Sequence, residues 1–327
     1  MPLLLTEADV RAILTMPMAL ELVELSFRRL AEGTAVLHPR RRLPMARKGL
    51  LNYMAASDSA GGYMGLKIYT ISPNGVRFVV LLFSARSGEM CALMEADYLG
   101  QMRTGAASGV ATRVMARENA SRVGVIGTGL QARTQLEAVA LARKLEWVRV
   151  FGRDARRREE FAKEMTARLT VPVAAVASAE HAVRGSDIIL TVTTATRPVV
   201  DGRWLEPGMH LNAIGSNFAE KQELDAEAVG RCDVVAADSI EQSKMEAGDL
   251  IQAFGTDLSR WASVRELADI VAGKVPGRTN QNQITLFKSN GLAIEDVVVG
   301  GRVYEIARER GVGHEVPMWQ GVAAAQA

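Results

Sequence analysis

The sequence predicts an α/β fold: a second, α+β domain with a mainly antiparallel sheet, followed by a doubly wound parallel sheet. Three observations carry that reading. From Arg122 onward, apolar strand-like runs alternate with helical segments, the pattern of parallel strands joined by crossover helices. Over 38–94, short, partly alternating runs are separated by the turn signals SPNG and ARSGE, as in an antiparallel meander. A length of 327 residues also favours two domains over one core.

In chain order, Thr6 before EADV reads as a helix cap with acids in the first turn, and a second helix covers 17–32, closing at Gly33. RRRLPM, LLNYMAAS, GYMGLKIYTIS and RFVVLLFSA form the antiparallel sheet, which a long helix over 97–116 leaves through the small-residue face TGAASGVA. RVGVIG, WVRVFG, VPVAAV, DIILTVTT, MHLNAIG and DVVAAD are the parallel strands. An amphipathic helix over 294–311 carries the chain back to the first domain. The expected division is therefore 1–116 with 305–327 for the α+β domain, and 117–304 for the doubly wound one.

Composition narrows the function classes. With 48% apolar residues, 23% charged residues and a formal charge of +2, the chain is an ordinary globular protein without a nucleic-acid arm. Cys91 and Cys232 sit far apart in apolar, strand-like runs, which suits inert buried thiols in a reducing cytosol. No spacing suggests a metal site. The opening MPLLL is too short for a secretory segment, and no later run reaches membrane length. A cytoplasmic protein is expected, with no membrane or nucleic-acid partner.

In VGVIGTGLQARTQLEA, four apolar residues lead into Gly127, Thr128, Gly129, Leu130, Gln131 and Ala132, then a helix-forming run. Gly127 permits a tight turn. Gly129 lets a pyrophosphate approach the backbone at a helix N-terminus, where free N–H groups and the helix dipole favour anions. A strand before, a helix after and a second strand at WVRVFG together favour dinucleotide binding over a merely structural turn. That second strand ends in FGRDARRR, with Arg153 first and Asp154 one residue beyond. An arginine there accommodates a 2′-phosphate, so NADP(H) is favoured and NAD(H) remains open; a solvated helix start is the other reading of these arginines.

GLKIYT, LMEADYLGQMRTGAASGVATRVMA, VGVIGTGLQA, IILTVTTATRPV, NAIGSNFAEKQELD and KSNGLAIEDV, in this order, resemble the ornithine cyclodeaminase/mu-crystallin family over nearly the whole chain. The resemblance implies a homodimer, a Rossmann domain, an antiparallel substrate and dimerisation domain, and an active site in the cleft between them. By the same resemblance Lys67 matches the active-site lysine. Its place between Leu66 and Ile68 invites a lowered pKa, as acid catalysis would require, whereas the bland reading is a surface lysine. Arg103 matches an arginine that binds the substrate carboxylate beside the nicotinamide, with Thr104 and Gly105 next to the pyrophosphate. The second substrate arginine matches Arg40, within a register that Arg41 and Arg42 leave open. Met54 lines the pocket or packs the core. Thr193, Gly215, Ser216, Lys221 and Ser289 match cofactor contacts, and Asn290 a substrate contact; generic loop roles are the alternative for Thr193, Ser289 and Asn290.

Asn217 departs from the family pattern. Cyclodeaminases and several dehydrogenases carry there an aspartate that shuttles a proton, and an amide cannot accept one. Reduction needs no such base, since an iminium takes hydride and the amine produced is protonated by solvent or Lys67. The expectation is a reductase of ketimines derived from α-keto acids. An alanine-type amino-acid dehydrogenase, a cyclodeaminase and a non-catalytic ligand carrier stand as alternatives, the last disfavoured because pure binding needs neither Lys67 nor Arg103.

Overall fold

The structure, a computed structural model, describes residues 1–46 and 48–318 and falls into two units. One contains Met1–Thr15, Glu32–Gly100 and the described chain from Ala293; the other contains Met16–Ala31 and Gln101–Leu292.

The first unit begins with β1 (Leu3–Leu5) and α1 (Glu7–Ile13). Thr6 caps α1 in a reciprocal box with Asp9, satisfying two backbone donors that a helix start leaves open. Five strands then meander: β2 (Ala35–Pro44), β3 (Leu50–Asp58), β4 (Tyr63–Ser72), β5 (Gly75–Ser84) and β6 (Met90–Glu95). They pair antiparallel in sequence order, and β1 adds parallel to β6 with the short strand His314–Glu315 outside it. Period-two alternation decides which side chains turn inward: Asn52, Met54 and Ala56 on β3, Lys67 and Tyr69 on β4, Val80 and Leu82 on β5. That face packs on the helix Ala293–Arg310, which approaches closely because Gly65 and Gly301 lack side chains: a Cβ on Gly65 would stand 3.2 Å from Val297, and one on Gly301 2.7 Å from Tyr63.

The second unit holds α2 (Met16–Glu32), most of α3 (Asp97–Met115) and eight parallel strands. The strands are β7 (Arg122–Ile126), β8 (Trp147–Phe151), β9 (Val173–Ala175), β10 (Ile188–Thr191), β11 (His210–Ala213), β12 (Val234–Ala237), β13 (Arg265–Glu266) and β14 (Thr285–Lys288). Their order is β13-β12-β14-β11-β10-β7-β8-β9, so the winding reverses between β7 and β10. Two apolar clusters cover the sheet. One gathers Val123, Val125, Leu136 and Phe161 with α4 (Leu130–Ala142) and α5 (Ala155–Leu169); the other gathers Ile189, Leu211, Val235, Leu250 and Leu286.

The seams differ from the expected ones at 116 and 305. Helix α3 groups with the parallel sheet because its glycines permit close packing: a Cβ on Gly105 would lie 2.5 Å from the Thr134 carbonyl, and one on Gly109 2.5 Å from Leu20 and 3.1 Å from Ala138. The helix that begins at Ala293 belongs wholly to the first unit. Strands β1, β13, β14 and His314–Glu315 are not marked by the sequence pattern, each being short or continuous with polar sequence. Cys91 lies in β6 as expected, but Cys232 lies in the loop before β12; both are free and half-buried, and burial pushes the Cys232 thiol up to about 12.

Candidate active site

On the first unit, the lysine lies in a built environment rather than on the surface. Lys67 is 2% exposed, and its Nζ donates to Asp296 Oδ1 at 2.6 Å. Beside its apolar neighbours Leu66 and Ile68, Lys67 thus has a buried carboxylate partner, Asp296. Nζ also lies 5.1 Å from the centre of the Phe78 ring, and a Cβ on Gly100 would stand 3.0 Å from it, which explains glycine at that turn of α3. In the next row across the sheet, Met54 pairs with Lys67. Arg40 Nη2 approaches Met54 Sδ at 3.8 Å, and both side chains are buried.

Backbone geometry sets the three arginines apart. Register shifts between His38 and Arg41, a bulge in which two residues oppose one. Arg40 is thereby turned inward at 5% exposure, Arg41 outward opposite Tyr53, and Arg42 sits half-buried opposite Asn52.

On the second unit, a groove of about 1140 Å³ opens where the winding reverses, lined by the turn after β7, the end of β8 and the segment after β10. Gly127 has φ +118°, and a Cβ there would lie 2.3 Å from the Val192 carbonyl, so only glycine makes this turn. Gly129 is the N-cap residue of α4 with nothing within 4 Å of its would-be Cβ, which leaves the open approach an anion needs. Leu130 and Gln131 form the first turn of α4, Leu130 with its side chain exposed. Arg153 and Thr193 line the groove. Asp154, one residue further, caps α5 by accepting from the Arg157 N–H at 3.0 Å.

The turn after β11 is fixed from beneath by a buried ionic cluster. Glu223 accepts from Gly215 N–H at 2.7 Å, Thr193 N–H at 2.6 Å and the Thr191 hydroxyl at 2.9 Å. Lys288 donates to the Ser216 carbonyl at 2.6 Å and pairs with Asp249 at 2.8 Å, while Asp249 accepts from the Glu223 and Leu224 N–H groups. Burial holds the Glu223 carboxyl above its ordinary value, with Lys288 opposing and Asp249 adding to the rise. Gly215 is required here, since its Cβ would strike the Thr193 carbonyl at 2.3 Å. The Ser216 hydroxyl donates toward the Lys221 carbonyl at 3.2 Å, Asn217 is half-buried, and the Lys221 ammonium lies 4.7 Å from the Phe218 ring centre.

A second buried acid organises the turn after β14. Asp238 accepts from the Asn290 and Gly291 N–H groups at 2.6 Å each, from the Ser289 hydroxyl at 3.1 Å and from the Asn290 amide at 3.3 Å. The expected contact residues Ser289 and Asn290 are thus held by protein groups. The turn meets Arg103 directly: a Cβ on Gly291 would lie 2.5 Å from Arg103 Nη1, so glycine there makes room for the guanidinium. Thr104 presents its carbonyl to the Gln135 amide at 3.0 Å. The structure therefore groups Gly127, Gly129, Arg153 and Thr193 in one groove, ties Gly215 to Thr193, and places Arg103 against the 290–291 turn. Residues missed from sequence are Asp296, Glu223, Lys288, Asp249 and Asp238. Asp296 and Lys288 lie inside KSNGLAIEDV and Glu223 inside NAIGSNFAEKQELD, whereas Asp249 and Asp238 lie in no such stretch. Among the described residues no group of side chains fits a metal ion, and no helix is long and apolar enough to cross a membrane.

A glycine turn at the switch point of a parallel sheet takes a dinucleotide, and a nicotinamide-dependent oxidoreductase is the class so defined. The chain belongs to the ornithine cyclodeaminase/mu-crystallin family, whose model matches residues 1–311. It is 33% identical over 323 residues to a Delta(1)-pyrroline-2-carboxylate reductase of Bacillus cereus, covering 96% of this chain and 99% of that protein. A Delta(1)-pyrroline-2-carboxylate reductase of Thermococcus litoralis, solved with NADH and L-proline, superposes with a TM-score of 0.91 at 37% identity, covering 96% of this chain and all of that one. An archaeal alanine dehydrogenase dimer with bound NAD gives a TM-score of 0.91 at 33% identity, covering 97% of this chain and 99% of that one.

Proposed function

We propose that this protein is an NAD(P)H-dependent reductase of ketimines derived from α-keto acids, such as pyrroline-2-carboxylate or piperideine-2-carboxylate. The observation that carries this reading is Asn217 on the turn after β11, where the family resemblance implies an aspartate in cyclodeaminases and several dehydrogenases. An amide holds a nitrogen or a water but accepts no proton, which suits the direction from imine to amine. The similarity to two reductases of this kind supports the same direction.

The nicotinamide supplies hydride to the carbon of the C=N bond. Arg103 and Arg40 bind the substrate carboxylate, and Arg103, with its planar fork, fixes orientation as well as charge. Lys67, ion-paired with Asp296, protonates the nitrogen, so that hydride meets an iminium. Thr104, Gly127, Gly129, Leu130, Gln131, Thr193, Gly215, Ser216, Lys221 and Ser289 contact the cofactor; Asn290 and Met54 border the substrate. NADP(H) is the favoured coenzyme, because Arg153 lines the groove while Asp154 is engaged as a helix cap. A homodimer in the cytoplasm completes the reading. An alanine-type dehydrogenase is the second reading, on the likeness to the archaeal enzyme.

The test is loss of NADPH and NADH absorbance with a panel of cyclic and linear ketimines. Reduction of cyclic imine acids without ammonia is the expected result. Proline and ammonia formed from ornithine by the unmodified protein would overturn it.

A further inference from the structure

Asn52 is fully buried on β3, yet among the described residues neither its amide N–H2 nor its carbonyl has a hydrogen-bond partner. Leaving both unmet in a protein interior costs about 1–3 kcal/mol for each group, and replacement by an apolar side chain of like shape is neutral or better. Native structures retain such groups where something else supplies the partner.

Its position says what that partner faces. Asn52 stands opposite Arg42 on one side and Tyr69 on the other, in the row next to Met54 and Lys67. By strand geometry Asn52 is roughly 7–8 Å from Lys67 on the diagonal and points from the same face. The basic side chains on this face are Arg40, Arg42 and Lys67. The amide adds something they lack, a neutral donor and a neutral acceptor on one group. Its complement is a neutral group that both gives and takes a hydrogen bond, and on an imine acid that is a hydroxyl on the carbon skeleton away from the carboxylate.

We propose that Asn52 is a specificity-determining residue that selects imine acids carrying a hydroxyl substituent over their unsubstituted counterparts. The inference rests on the reductase reading above and names the substrate class within it. A site built to hydrogen-bond a substrate hydroxyl rejects the analogue without it, because binding that analogue leaves the buried amide unmet.

The test compares kcat/KM for pyrroline-2-carboxylate and its ring-hydroxylated analogues in the parent, Asn52→Leu and Asn52→Thr proteins, with thermal midpoints measured alongside. The parent should prefer a hydroxylated imine by at least about tenfold. Asn52→Leu should lower kcat/KM for that imine at least about tenfold more than for the plain one, while raising the midpoint; Asn52→Thr, keeping one hydroxyl, should retain part of the preference. A higher midpoint with the preference of the parent unchanged in both variants would show a merely structural amide and overturn the role of Asn52 alone. No reduction of any of these imines by the parent would overturn the reductase reading and this inference with it.

Discussion

Replacing Asp296 by asparagine removes a charge and almost nothing else, and the structure sets the size of the consequence. Lys67 Nζ and Asp296 Oδ1 are 2.6 Å apart with both side chains 1% exposed. At an effective dielectric of about 20, unit charges at that distance attract by roughly 6 kcal/mol. Part of this offsets the desolvation of both groups, so the pair as a whole contributes far less than its attraction. Breaking it from one side is different, because an ammonium stays buried without its counter-charge, at a cost of about 3–5 kcal/mol. Asp296→Asn should therefore lower the urea midpoint at pH 7, and it should lower kcat/KM for imine reduction. Chemical denaturation and steady-state kinetics of imine reduction read the two. A stability change within about 0.5 kcal/mol together with an unchanged kcat/KM would refute the reasoning, since that is the behaviour of a surface substitution. The double variant Lys67→Met/Asp296→Leu should recover stability but not activity, which separates the fold from the chemistry.

Four further outcomes are expected. Arg103→Lys keeps the charge but loses the planar fork seated against Gly291, and should reduce kcat/KM by more than about tenfold; unchanged kinetics would remove Arg103 from the active site. Arg153→Ala should weaken NADPH selectively, whereas equal loss with NADH would show that Arg153 does not read the 2′-phosphate. Burial first, and Arg278 second, hold the His210 ring down at about 3. Because the unfolded chain takes up that proton near pH 6.5 and the folded chain refuses it, stability should fall as pH drops from about 6.5 toward 3, by about 2–3 kcal/mol at pH 4.5; His210→Asn should flatten this part of the acid limb in urea titrations. Asn217→Asp should raise amine oxidation relative to imine reduction away from equilibrium and change how each direction depends on pH; parallel profiles in both directions would leave Asn217 as a turn-shaping residue only.

What could be read from the sequence is what depends on near neighbours in the chain. The Thr6 cap, the alternation of the strands, the glycine turn at 127–129 and the alternating strand and helix runs are all set within a few residues. Each forms where it was expected. The bulge that turns Arg40 inward is also local, but one extra residue in β2 is invisible until β3 is placed beside it. That is why three arginines gave three candidates.

The remainder of the candidate site depends on partners brought from far along the chain. Asp296 lies 229 residues from the lysine it pairs with, and Lys288 reaches Ser216 across 72. Neither acid nor lysine differs in sequence from a solvated one, because their character comes from burial. The distinction matters for the turn at Gly215–Asn217, whose small polar residues suggest flexibility. Glu223 grips two of its surrounding N–H groups and Lys288 its carbonyl, all within hydrogen-bond distance and out of water. A low-dielectric network satisfied in this way is rigid, since any shift exposes a charge without a partner. Asn217 is thus presented by a fixed backbone, and an aspartate substituted there would inherit the same placement; this makes Asn217→Asp a change of proton chemistry more than of shape.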